Sequence, residues 1–235
     1  MTTINVLYPA RVITIDGTAG SGKGTISLQL AKKLGWHFLD SGVIYRALSL
    51  LYIWNDPNYD PLNLKESRLL DLAVKMQLEI DDQQKVYLND QNNNKRDVTS
   101  IIRTEVFGNL ASQLAVIPSV RVALLEKQRQ FLRSPGLVAD GRDMGTVVFP
   151  EAILKFFLDA DAKIRATRRH IQLKELGVGG TLHNRIDELS ERDLRDSQRV
   201  IAPLKPAADA IIIDTTTMTI NEVFAIVANQ VDLIV

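Results

Sequence analysis

The chain contains no cysteine. Disulfides, thiolate nucleophiles and cysteine-held metals are excluded together, and the absence suits a reducing compartment. Its three histidines, His37, His170 and His183, have no metal-ligand spacing and read as ordinary surface or packed residues. It has no net charge, with 28 Lys and Arg against 28 Asp and Glu, so no bulk field marks it for nucleic acid or a membrane surface. Any anion must be held locally. No apolar run approaches the roughly 18 residues of a membrane span. The opening MTTINVLYPARVITIDG has no hydrophobic region of the signal-peptide kind. A cytoplasmic protein is the expectation.

What is present is a globular composition, 46% apolar over 235 residues, enough for one sizeable core with appended lobes. Short β-rich runs at 11–16, 36–40, 136–140, 154–160 and 210–214 alternate with helical spacing, which predicts a parallel sheet covered by helices. Gly35 reads as a helix stop, and Thr219 is placed to cap the closing helix. Residues 72–98 read as an antiparallel polar patch. Residues 99–116 read as one helix, with a second from about Ser119 to Arg133 after the break at Pro118. The polar 65–110 and arginine-rich 163–200 segments read as lobes on the core.

Between the first strand and its helix lies GTAGSGKGT, comprising Gly17, Thr18, Ala19, Gly20, Ser21, Gly22, Lys23, Gly24 and Thr25. The frame Gly17-x4-Gly22-Lys23 in that setting is a P-loop. Glycines let successive backbone N–H groups turn toward phosphate oxygens, and the helix N-terminus adds partial positive charge. Lys23 supplies a point charge. The residue after Lys23 is Gly24, so the hydroxyl arrives one position late, at Thr25. NKRD at 94–97 matches a guanine-reading tetrapeptide, but it follows NDQNN rather than a buried strand and reads as a chance match.

Three further stretches carry charge toward this cradle: LDSGVIYRALS at 39–49, ADGRDMGTVVFP at 139–150 and ERDLRDSQRVIAPL at 191–204. Arg192, Arg195, Asp196 and Arg199 fall at i, i+3, i+4 and i+7, one face of a helix. That face reads either as solvated ion pairs or as a phosphate site. Asp40, Ser41 and Gly42 suit a helix N-cap.

Together with the GKGT turn, these stretches resemble the bacterial cytidylate kinase family over almost the whole chain. The resemblance implies an α/β P-loop NTPase fold with a five-stranded parallel sheet. It implies a core at 1–67, 109–164 and 186–235, an enlarged monophosphate-binding insert at 68–108 and a short helical lid at 165–185. It implies phosphorylation of CMP and dCMP by ATP with Mg²⁺, and it leans to a monomer. By similarity, Arg46 and Arg142 clamp the CMP phosphate, Arg199 lies near it, and Arg192 and Asp196 lie near the ribose. Ser41 and Tyr45 line that site, while Ser112, Arg121 and Asp143 meet the base. Catalysis falls to Lys23, Arg142, Arg192 and Arg199, and Thr25 and Asp140 serve the metal.

The residues themselves give the base reader a rationale. Cytosine offers an N4 donor beside an N3 acceptor, and uracil the reverse; a carboxylate only accepts and an arginine only donates. Asp143 with Arg121 would therefore favour cytosine on the order of a hundredfold or more. The alternatives are that Arg142 and Asp143 only pair with lid charges, and that Asp140 serves a structural turn. The glycines at 177–180 suit a lid hinge or a plain C-cap. Two rival functions stay open here: a kinase for UMP, AMP or a small metabolite, and a P-loop switch protein without an acceptor.

Overall fold

A computed structural model of the chain describes residues 11–175 and 181–235. The glycines at 177–180, and with them the hinge reading, lie outside the described residues. β1 (Arg11–Gly17) is buried from Val12 onward and runs through the glycine turn into α1 (Lys23–Leu34). Gly35 closes α1 in the left-handed conformation, its N–H returning to Lys32 O at 3.3 Å and that of Trp36 to Ala31 O at 3.0 Å. β2 (His37–Asp40) passes directly into α2 (Ser41–Asn55), whose N-cap is Asp40, accepting from the Gly42 N–H at 2.9 Å.

The polar middle segment is α3 (Glu66–Lys75) followed by a small antiparallel sheet of β3 (Leu78–Ile80), β4 (Val86–Asn89) and β5 (Lys95–Asp97). The guanine-like tetrapeptide lies on exposed β5, where Asp97 accepts the Thr99 N–H at 2.9 Å. Its neighbours are therefore a hairpin and a turn, not the end of a core strand.

The helix expected over 99–116 is two helices, α4 (Thr99–Ile102) and α5 (Glu105–Leu114). Thr104 between them is extended, at φ −72° and ψ 162°. Arg46 accounts for the break: its Nη1 donates to Ile102 O at 2.7 Å and Thr104 O at 2.9 Å, satisfying carbonyls released where the helix stops. α6 (Pro118–Arg129) starts on its proline, which needs no N–H in the first turn.

β6 (Gly136–Gly141) is buried throughout and ends in a π-helical turn, Met144–Val148. β7 (Leu154–Asp159) follows, then α7 (Ala162–Glu175), α8 (Leu182–Ser197), β8 (Ile211–Asp214) and α9 (Ile220–Asp232). α9 begins with a full capping box between Thr219 and Glu222. The main sheet is parallel, in the order β2-β6-β1-β7-β8.

Strand period two sorts the two sheet faces. Ile13, Ile15 and Val138 pack with Ile26 and Leu30 of α1 and Val223 and Val227 of α9. Val12, Leu137 and Ala139 pack on the other face, against the cluster that includes α2, α5 and α6. The same alternation puts Asp140 on the α1 face and Asp16 on the opposite one. Each of the five strands carries an aspartate at its C-terminal end: Asp16, Asp40, Asp140, Asp159 and Asp214. Parallel register lines them along one edge, where open α/β sheets bind their ligands.

Candidate functional site

The cradle sits at that edge. Gly22 is the N-cap of α1 at φ 91°, a conformation that penalises any side chain, so glycine is required where the loop turns into the helix. Lys23 is buried, and its Nζ donates to Thr18 O at 3.1 Å, folding the ammonium back over the loop. Burial and then Arg142 push the Lys23 pKa down to about 8, against the pull of Asp140. Ser21 Oγ donates to Thr18 O at 3.0 Å, and Thr18 Oγ1 donates to Asp159 Oδ1 at 2.7 Å. α7 and α8 also grip the loop. Arg165 Nη1 donates to Ala19 O at 3.0 Å and pairs with Asp193, which accepts the Ala19 N–H at 3.4 Å. The last strand's loop closes the far side, Thr215 Oγ1 donating to Ser21 O at 3.1 Å.

Beside the cradle three guanidinium groups converge, from Arg46 on α2, Arg142 after β6 and Arg192 on α8. A Cβ placed on Gly108 of α5 would lie 2.8 Å from Arg46 Nη2 and 3.4 Å from Arg192 Nη1. Burial, then Arg142 and Arg46, push the Arg192 pKa down to about 9. Its buried Nε has no hydrogen-bond partner among the described residues. This is a cationic cluster short of an anion, and the field of Arg192 reaches Lys23.

Asp196, 1% exposed, is a carboxylate buried inside the cluster. It accepts from Arg142 Nε at 2.9 Å and from Ser112 Oγ at 3.1 Å, and it pairs with Arg199. Burial raises its pKa, but Arg142, Arg199 and Arg192 outweigh burial and hold it at about 2. Arg199 lies two residues beyond the end of α8, so the expected helical face curls over at its last member. Four other arginines of the segment, among them Arg165 above, bind protein groups, whereas Arg195 Nη1 is buried with no partner among the described residues. Arg168 holds Thr215 O and Met218 O, Arg169 holds Glu105, and Arg185 holds Glu188.

Further along, buried Arg121 and Asp143 form a close ion pair, with Arg121 standing over the Tyr45 ring at 5.9 Å. Burial pushes the Tyr45 pKa up to about 12. Thus Asp143 pairs with α6 and Arg142 with α8. Ser41, at the first turn of α2, is buried near the end of β6.

Of the five strand-end aspartates, four have hydrogen-bond donors. Asp16 accepts from the N–H groups of Met144 and Gly145, Asp40 from Gly42, Asp159 from Thr18 and Ala160, and Asp214 from Thr216. Asp140 differs: its buried Oδ1 has no partner among the described residues, and Oδ2 faces α1, 3.0 Å from where a Cβ on Gly24 would lie. Burial pushes its pKa up to about 7, while Lys23 opposes the shift. An unpartnered carboxylate beside a phosphate loop fits a hydrated cation accompanying a nucleotide. Thr25, the other expected metal residue, is exposed in the first turn of α1. No cluster of three acidic or histidine ligands occurs among the described residues.

Sequence reasoning missed Asp16, Asp193 and Gly108. The first two look like ordinary strand-end and helix carboxylates, and Gly108 is a glycine inside a helix, whose reason lies on α2 and α8. A mid-helix glycine is the only one of these with a local signal.

A family model described as cytidylate kinase matches residues 13–233. The cytidylate kinase of Aeromonas hydrophila is 50% identical over 221 residues, covering 93% of this chain and 92% of that protein. Those of Stutzerimonas stutzeri and Coxiella burnetii are 48% identical over 228 residues and 47% over 223. They cover 96% and 95% of this chain, and 97% and 92% of their own lengths. With the model spanning the described core and relatives near half identical along the chain, the protein belongs to the cytidylate kinase family.

Proposed function

We propose that phosphoryl transfer here is direct and in line, from ATP in the glycine cradle to the phosphate of CMP or dCMP held by the arginine cluster. The overall reaction is that of the family: the chain phosphorylates CMP and dCMP to the diphosphates. The observation that carries the detailed reading is the convergence of Arg46, Arg142 and Arg192, short of negative charge and within the field of Lys23. Transfer between two phosphates needs charge neutralised and groups aligned, with little covalent work for side chains.

In this reading backbone N–H groups of 17–25 and Lys23 hold the donor phosphates. Arg46 and Arg142 hold the acceptor phosphate. Arg192 and Arg199 face the charge that develops between them, and Asp196 fixes Arg142 and Arg199 while meeting the ribose. Asp143 accepts from cytosine N4, and Arg121 donates to N3 or O2, with Ser112, Ser41 and Tyr45 lining the pocket. Mg²⁺, held through Asp140 and Thr25, would neutralise donor phosphate charge. The insert at 68–108 forms the acceptor lobe and 165–185 the lid that excludes water. The same reading makes the enzyme a cytoplasmic monomer without nucleic-acid or membrane partners; its balanced charge supports this, and among the described residues no single helix is long and apolar enough to cross a membrane.

The test is ADP release from Mg·ATP with CMP, dCMP, UMP, AMP and GMP offered separately and with no acceptor. Strong turnover with CMP and dCMP, weak turnover with UMP and none without acceptor is expected. Acceptor-independent release would sink the acceptor site.

A further inference from the structure

Asp16 makes no ion-pair contact among the described residues, yet it is 4% exposed and keeps both carboxylate oxygens occupied. Oδ1 accepts the Met144 N–H at 2.8 Å, and Oδ2 accepts the Gly145 N–H at 2.8 Å. These two N–H groups open the π-helical turn that follows Arg142 and Asp143. The other end of the turn folds back on the same point. Asp143 O accepts from Val147 N at 2.9 Å and Val148 N at 3.1 Å. The backbone of Asp143 is therefore held from both sides, and Asp16 is the hold that comes from outside the turn.

The chemistry of the residue is specific to that task. Two parallel N–H donors match two carboxylate oxygens; an asparagine would present an NH₂ to one of them. Burial pushes the Asp16 carboxyl up to about 7, and the Gly145 and Met144 N–H groups oppose that shift by favouring the charged form. The turn also docks closely. A Cβ on Gly145 would lie 2.8 Å from Thr14 Oγ1 and 3.1 Å from Lys155 Cδ. Thr14 and Asp16 share one face of β1, so the strand offers two adjacent seats, one bonding and one steric, for the same turn.

We infer that Asp16 is a positioning residue for the acceptor: its carboxylate fixes the 144–148 turn against β1 and thereby aims Arg142 and Asp143, setting cytosine selectivity. Asp16 also directly precedes Gly17. One residue thus ties the start of the donor cradle to the acceptor reader. The inference rests on Asp143 reading the base.

The experiment compares Asp16→Asn, Gly145→Ala and Asp143→Asn with the parent. CMP and UMP kinetics, ATP KM and the melting temperature are measured for each. Asp16→Asn is expected to raise CMP KM about tenfold and narrow the CMP-to-UMP ratio, with ATP KM within about twofold of the parent. Gly145→Ala leaves every charge in place but pushes the turn off Thr14, and it is expected to shift the same two quantities. Thr14→Ala added to Gly145→Ala should restore them. A general loss of folding would instead lower CMP and UMP turnover in the same proportion. If Asp16→Asn does not fold, the Gly145→Ala pair decides. A parental ratio and CMP KM in Asp16→Asn or, where that fails to fold, in Gly145→Ala would overturn the inference, with the base reader intact if Asp143→Asn alone narrows the ratio. No change in Asp143→Asn would overturn the reader, and the selectivity role of Asp16 with it.

Discussion

Gly24 and Asp140 face each other across the mouth of the cradle, with Oδ2 3.0 Å from where a Gly24 Cβ would lie. Asp140 comes from β6 and Gly24 from α1, and among the described residues no hydrogen bond is made to Asp140 Oδ1. The pair leaves a carboxylate aimed at the phosphate loop, with Oδ1 buried and unbonded. Burying an unbonded carboxylate oxygen opposes folding, and the proposed metal role would account for it.

Asp140→Asn should therefore separate the two. Turnover with CMP should fall by about a hundredfold or more, because charge at the proposed metal position is lost. The melting temperature of the nucleotide-free protein at neutral pH should rise, because a buried charge has been removed. Calorimetry alongside the kinase assay checks both; an unchanged turnover would show that Asp140 only shapes the turn.

Gly108→Ala should act on the acceptor alone. Its methyl would meet Arg46 Nη2 at 2.8 Å and Arg192 Nη1 at 3.4 Å. CMP KM is expected to rise about tenfold or more with ATP KM unchanged, since small displacements of a phosphate clamp are amplified in rate. Helix propensity works the other way, alanine being favoured by about 1 kcal/mol. A loss of CMP affinity without a loss of stability would therefore mark the steric effect.

In the proposed reading Asp143 is the purely accepting group opposite cytosine N4, and Asp143→Asn removes it. The amide can present a donor to uracil O4, so CMP turnover should fall while the CMP-to-UMP ratio narrows. Parallel kinetics with both nucleotides read the outcome, and a parental ratio would exclude Asp143 from base reading.

Asp196 gives the pH dependence. Its folded pKa of about 2 lies below the ordinary 3.8, so its contribution is present above that value and lost as pH falls from about 4 toward 2. Asp196→Asn leaves Arg142 and Arg199 without their carboxylate and should destabilise the protein by about 3 kcal/mol at pH 7. The gap between parent and variant should close over that acid range in denaturation followed by circular dichroism. A gap that stays constant down to pH 2 would mean that the ion pairs do not hold the cluster.

Much of this was legible along the chain. The glycine cradle needs nine consecutive residues between a strand and a helix, and local geometry dictates them. The five apolar runs, the Gly35 stop and the Thr219 cap are also local, and the structure has all of them. The break between α4 and α5 was not legible, because the group that stabilises it is Arg46, more than fifty residues earlier.

The sequence by itself determined a glycine-rich strand-to-helix turn suited to phosphate and a gathering of cations in three stretches, since backbone freedom and charge are properties of short segments. Tertiary structure alone decided which charges stayed free. Seven arginines between 165 and 199 look alike in sequence, yet Arg165, Arg168, Arg169 and Arg185 bond protein groups, while Arg192 is left facing other cations. Likewise five aspartates end five strands, and packing gives four of them donors and leaves Asp140 with an oxygen unbonded among the described residues. A charge's role depends on what is brought within hydrogen-bond reach of it, and for these residues those partners come from distant parts of the chain.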